Sequence, residues 1–268
     1  MFLCVFLSTQ MFAQQRINVK TFMPANNLNE VDGLYDNGMT EAEFNAIIDE
    51  VVNYYAPIAN QYGANFVVNR LWNDSTVNAQ AYQQGNTWYV DMFGGLARRP
   101  EITRDGFQMV VCHETGHHFG GFPANGWAAY EGQADYFALH VCAKNLWANQ
   151  PNQVPSIQPY AKKLCDQNVK GNLNLCYREM NASYSLASLL AALGNETASF
   201  QTPDKSKVSR TNPDHPRAQC RLDTYVAGNL CGTQWNDYVI PQTEQESANY
   251  LCTTGVGARP RCWFKPSF

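Results

Sequence analysis

The sequence predicts an α+β domain with a small antiparallel or mixed sheet, built around a metal-binding helix. Three observations predict it. Helical periodicity over 41–61 is followed by short extended runs between 64 and 93, then by helical runs from 103 onward. Residues 110–121, VVCHETGHHFGG, place two histidines four apart, the separation that sets both on one helix face. Eight cysteines between 112 and 262 suit a fold braced by disulfides.

The chain has 268 residues, 45% hydrophobic and 16% charged, enough for one domain with its own core. A net charge of −4 leaves no basic footprint, so nucleic acid and anionic membrane surfaces are excluded as expected partners. The start, MFLCVFLSTQMFAQQ, holds an apolar run too short to span a membrane. It reads as a secretory signal peptide over 1–13, cut after Ala13, leaving 14–268 as a single domain in a secreted or periplasmic protein without stable membrane insertion.

Cys4 belongs to that signal, and the other eight cysteines allow four disulfides in an oxidising compartment. Proximity in sequence favours Cys165–Cys176, Cys220–Cys231 and Cys252–Cys262, which leaves Cys112 for Cys142. A cysteine-ligated zinc needs close CxxC pairs, and the chain has none.

In chain order, Thr40 and Glu43 form a capping box ahead of Phe44, Ile47, Ile48, Val51, Val52 and Tyr55, a helix over 41–61 ended by Gly63. Residues 64–72 read as a strand, and 77–82 with 87–93 as a hairpin about Gly85-Asn86, closed by Gly94-Gly95. Thr103 caps the histidine helix, and Gly120-Gly121 stops it. A second helix is expected over about 127–146, and others over 162–167 and 173–193. The stretch SYSLASLLAAL, apolar on nearly all sides, should be deeply packed. A polar loop over 195–212, a short helix over 216–226 and an irregular cysteine-bearing tail complete the chain.

Two imidazoles one turn apart can share one zinc, and Glu114 beside the first can take a proton from the metal's water. A catalytic zinc keeps three protein ligands, so a third must come from elsewhere. Glu131, in YEGQADYFA, completes a His113, His117, Glu131 set. Asp135 lies four residues on and can orient a ligand imidazole through its remote nitrogen. The three-histidine pattern HExxHxxGxxH fails, because Pro123 stands where the third histidine belongs. His118 points off the ligand face, either supporting the site or exposed, and His140 is a core or surface residue. His215, before Pro216, is the candidate donor to an oxyanion or a gate on the metal, and Arg221 would hold its helix against an acidic group such as Asp135.

These elements together resemble the M48 group of gluzincin metallopeptidases, relatives of the Ste24, HtpX and BepA-type enzymes. Val77-Asn78-Ala79-Gln80-Ala81 resembles the group's Asn-Ala edge strand, and 85–96 its hairpin leading to Gly-Leu. HETGH at 113–117, the ExxxD pair Glu131 and Asp135, and His215-Pro216 with Arg221 are similar to its remaining motifs. The similarity covers about 40–225 and leaves the N-terminus and the cysteine-rich tail outside. The resemblance implies one zinc on His113, His117 and Glu131, with Glu114 as general base. It also implies a peptide or protein substrate added as a strand along the 77–82 edge at Asn78 and Ala79. The implied activity is that of a zinc endopeptidase. A non-catalytic zinc-holding assembly factor and a zinc amidohydrolase acting on a non-peptide amide are the alternatives.

Overall fold

Thr40 accepts a hydrogen bond from the Glu43 amide while the Glu43 carboxylate accepts from the Thr40 amide, and this reciprocal cap starts α1 (Glu41–Gln61). The coordinates are a computed structural model describing residues 18–31 and 37–267, so the expected signal peptide with Cys4 lies outside the described residues. Phe44, Ile48, Val51 and Tyr55 form the buried stripe of α1, as their spacing predicts. Gly63, at φ 70°, then turns the chain into the sheet.

That sheet is mixed and has four strands in the order β1 (Val19–Thr21), β3 (Ala79–Gln84), β4 (Thr87–Phe93), β2 (Asn65–Leu71). β2 runs parallel to β4, and β3 pairs antiparallel with β4 through the hairpin at Gly85-Asn86. Here one expectation is corrected: the 77–82 stretch is not a free edge. β1 pairs antiparallel with β3, Val19 opposite Tyr82 and Thr21 opposite Gln80, and takes up the main-chain groups a substrate was expected to use. Three residues are too few for a period-2 pattern to announce a strand, so β1 was not foreseen. Gly94-Gly95 closes the sheet by opening the short helix α2 (Gly94–Ala97).

The histidine helix, α3 (Arg104–Phe119), is capped by Thr103 as expected, its hydroxyl accepting from the Gly106 amide. Every residue from Gly106 to Phe119 is buried, because α3 packs against β3, β4, α1 and the helices that follow. A helix buried on all sides that still carries His, Glu, Thr and Gln holds those polar groups for interior use.

The expected second helix at 127–146 begins later and is not uniform. β5 (Ala124–Asn125) and β6 (Ala128–Ala129) form a small hairpin, and only then does α4 (Glu131–Phe137) start, with Tyr130 extended at its N-cap. The helix continues through a π-helical segment, Ala138–Ala143, into α5 (Lys144–Trp147). Gly132 lets the Trp263 indole approach α4, since a Cβ there would meet the ring at 2.2 Å.

α6 (Pro159–Asn168) and α7 (Leu173–Gly194) match the expected helices, though Tyr184 of the apolar stretch is exposed while Leu186, Ala187 and Leu189 are fully buried. α8 (Ala218–Leu230) outruns its expected end at 226, and the tail holds one short helix, α9 (Glu244–Ser247).

Four disulfides brace this frame. Cys112–Cys142 and Cys165–Cys176 pair as proximity suggested. The other two expected pairs are wrong: Cys220 bonds Cys262 and Cys231 bonds Cys252. Cys220 sits in the first turn of α8 and Cys231 caps its end, so the helix holds them about 16 Å apart, beyond disulfide reach. Cys112–Cys142 ties α3, one residue before His113, to the π-helical segment. Replacing both cysteines by alanine should cost about 3–4 kcal/mol in the loop-entropy account and weaken metal binding. Denaturant titration and metal titration check the two effects, and unchanged metal affinity would refute the coupling.

Glu179 of α7 is buried, with one carboxylate oxygen lacking a hydrogen-bond partner among the described residues. Burial pushes its carboxyl pKa above the ordinary 4.5, only partly offset by the positive charge of Lys144. The fold thus keeps a proton that the unfolded chain gives up, so this residue's contribution to stability falls as pH rises above about 4.5. Glu179→Gln should flatten that decline in denaturant midpoints measured across pH. An unchanged slope counts against it.

Candidate metal centre

His113 and His117 lie one turn apart on α3, their rings meeting edge to face at 4.9 Å between centroids. Each ring is fixed through Nδ1. His113 Nδ1 pairs with Asp135 Oδ1 at 2.8 Å, and His117 Nδ1 donates to the Ala129 carbonyl at 2.9 Å. Both Nε2 lone pairs are thereby left for another partner. The β5–β6 hairpin matters here, because it leaves Ala129 unwound and its carbonyl turned to His117.

Glu131 is the first residue of α4, at the helix's positive end. Its Oε2 lies 3.3 Å from His113 Nε2 and 3.6 Å from His117 Nε2. None of these three buried atoms has a hydrogen-bond partner among the described residues. Two imidazole nitrogens and a carboxylate oxygen, all within 4.8 Å of one another, form a group that could hold a metal ion. The unpartnered atoms are its best support, since burial of lone polar atoms is costly.

The electrostatics agree. Burial alone would raise the Glu131 pKa, but the facing His117 and His113 bring it down to about 2. Burial lowers the His117 pKa to about 4 and leaves that imidazole neutral. Burial also works against the charged form of His113, yet Asp135 outweighs it and lifts its pKa to about 9. A metal bound there would displace a proton.

Asp135 is fully buried and bound from three sides. The Arg221 guanidinium grips both its oxygens, at 2.8 Å from Nε and 2.7 Å from Nη2, and the Tyr225 hydroxyl donates to Oδ1 at 2.9 Å. Burial opposes its charge, but Arg221 and His113 hold its carboxyl well below the ordinary range. Asp135 thus bonds His113, one of the two imidazoles the sequence left open to it, and Arg221 meets Asp135. Tyr225 was missed, although it follows Arg221 by four residues and so shares its helix face.

Glu114 is fully buried, and neither of its carboxylate oxygens has a hydrogen-bond partner among the described residues. Burial raises its pKa to about 8 against the lowering effect of His113. A carboxyl group poised in this way can take and return a proton near neutrality.

His215 reaches the site, with Nε2 3.5 Å from Glu131 Oε2. Its ring N–H donates to the Thr21 carbonyl at 2.6 Å. Burial lowers its pKa, so the ring there is a neutral donor. Asn78 and Ala79 serve the segment that carries Thr21. The Asn78 carboxamide bonds the Met23 amide and carbonyl at 3.1 and 3.2 Å, and the Ala79 carbonyl accepts from the Phe22 amide at 3.0 Å.

His118 neither supports the ligands nor faces solvent. It is stacked between Trp88 and Trp127, with Nε2 donating to the Tyr89 carbonyl and Nδ1 accepting from Gln83. Burial lowers its pKa to about 3, so it acts as a neutral core ring. His140 is likewise a core residue, bonded to the Tyr250 carbonyl.

Compared with family models, curated proteins and solved structures, the chain matches none at a significant level. The functional reading therefore rests on the residues and their geometry alone.

Proposed function

We propose that the chain is a zinc-dependent endopeptidase of the M48-like gluzincin kind, acting on peptides or proteins. The observation that carries this reading is the set of unpartnered buried atoms on His113, His117 and Glu131, with the unpartnered Glu114 carboxylate beside them. His113, His117 and Glu131 would hold one zinc, which when bound acidifies water and polarises a carbonyl.

The protein's own groups do the remainder. Asp135 keeps the His113 proton on Nδ1. Glu114 accepts a proton from the attacking water and returns it to the leaving amine. His215 donates to the oxygen of the carbonyl under attack, and Arg221 and Asn78 hold the peptide beyond it. Main-chain pairing with β3, which the chain's own β1 engages here, would supply affinity with little demand on side chains.

A non-catalytic zinc-holding factor would have no use for a buried, unpartnered Glu114, and a non-peptide amidohydrolase none for a strand-binding edge. Four disulfides, and the lack among the described residues of any helix able to cross a membrane, are compatible with a secreted or periplasmic protein.

Casein digestion with and without o-phenanthroline tests the proposal. Fragments should form, cease with the chelator and return on adding zinc. A chain that holds zinc and releases no peptides would sink the reading.

A further inference from the structure

Residues 19–23 lie across the candidate centre in the way a bound peptide would. We propose that this segment is an internal substrate and that the chain cuts itself between Thr21 and Phe22. The proposal rests on the peptidase reading above.

β1 pairs with β3 over Val19–Thr21, and the Phe22 amide extends the ladder to the Ala79 carbonyl. Three successive backbone carbonyls are then taken by three different residues of the site. Thr21 O accepts from His215 at 2.6 Å, Phe22 O from Arg221 Nη1 at 2.6 Å, and Met23 O from Asn78 at 3.2 Å. Since His215 Nε2 also stands 3.5 Å from Glu131 Oε2, the Thr21 carbonyl sits beside the ligand group.

The side chains divide at the same bond. Phe22 is wholly buried, its ring edge-on to His113 at 5.2 Å and beneath the Arg221 guanidinium at 4.5 Å. Met23 is 2% exposed, whereas Val19 is 43% exposed. The segment is anchored after Thr21 and open before it. A strand that only covered a sheet edge would need the ladder alone. It would not need carbonyls aimed at His215 and Arg221, nor a phenyl ring seated on a ligand imidazole.

In the step, water's oxygen bonds to the Thr21 carbonyl carbon and the bond from that carbon to Phe22 N breaks. A proton from the water passes through Glu114 to the departing amine. The products are a Thr21 carboxylate and an amino-terminal Phe22, with water the sole co-reactant. Until the cut, the tethered segment competes at an effective concentration on the order of millimolar, so other peptides are shut out. Afterwards the part ending at Thr21 can leave, and the β3 edge is freed.

The full chain, purified in chelator and then given zinc, should be followed by intact mass and N-terminal sequencing. Phe22 should become the new terminus at a first-order rate unaffected by dilution, and Glu114→Gln should stay whole. An intact terminus on a chain that digests casein overturns the proposal, as does a cut at another bond or a rate that scales with protein concentration. A zinc-loaded chain that cuts neither itself nor casein overturns the peptidase reading instead.

A second readout needs no turnover. A fluorescent peptide copying residues 18–25 should bind Glu114→Gln poorly. With Lys20→Pro added, which removes an N–H from the middle of β1, it should bind up to about tenfold tighter. Equal affinity in the two proteins overturns the occupancy.

Discussion

Glu114→Gln should leave the metal in place and lower turnover by about 10²–10⁴-fold, the usual worth of a general acid–base group. Glutamine has the same shape but cannot accept a proton at neutral pH. Neither Glu114 oxygen has a hydrogen-bond partner among the described residues, so the exchange breaks no hydrogen bond there. It also removes a carboxyl whose ionisation burial disfavours, so the folded state should be no weaker. Elemental analysis should find zinc equal to the parent's, and the thermal midpoint should hold or rise. A variant that digests casein at the parental rate would remove Glu114 from its role.

Arg221→Met should destabilise the protein by about 3–5 kcal/mol, because it leaves Asp135 charged and buried without its main partner. Asp135→Asn should cost a comparable amount and in addition weaken zinc binding by about 10–100-fold, through loss of the carboxylate charge behind His113 Nδ1. The double variant should lose less than the sum, since a pair removed together strands no charge. The sign of the pH dependence follows from Asp135. Its folded pKa is depressed, so its contribution is present above its unfolded value near 3.8 and is lost only as pH falls through the folded value. In Arg221→Met burial acts on that carboxyl without the guanidinium's opposing charge, so its pKa rises, and the penalty should be largest at neutral pH and shrink as acid protonates Asp135. Denaturant titrations of the four proteins measure it, and an Arg221→Met chain within about 1 kcal/mol of the parent contradicts the buried pair.

Both predictions involve residues that sequence spacing had singled out. His113 with His117, and Glu131 with Asp135, are i, i+4 pairs, and a helix converts that spacing into one face whatever surrounds it. The caps at Thr40 and Thr103 were readable for the same reason, being set by a few neighbouring residues. Tyr225, one turn beyond Arg221, was equally local and was overlooked.

What stayed hidden depends on contacts between distant parts of the chain. His118 could not be placed without knowing that Trp88 and Trp127 arrive on either side of it. The start of α4 was misjudged because Ala128 and Ala129 have high helix propensity, yet pairing with Ala124–Asn125 draws them into a strand.

By itself, then, the sequence determined the α+β class from its helical and extended runs, and helix periodicity over a turn or two picked out the candidate ligands, the candidate base and Asp135, while leaving open whether Asp135 would meet His113 or His117. Only the tertiary structure decided that Cys220 meets Cys262 and Cys231 meets Cys252, because the rigid length of α8 overrides nearness along the chain. It alone decided that the Asn78-Ala79 edge is covered by the chain's own β1. Strand pairing is recorded in main-chain hydrogen bonds, which are the same for every residue but proline, so three residues such as Val19, Lys20 and Thr21 carry no mark of the partner they will find.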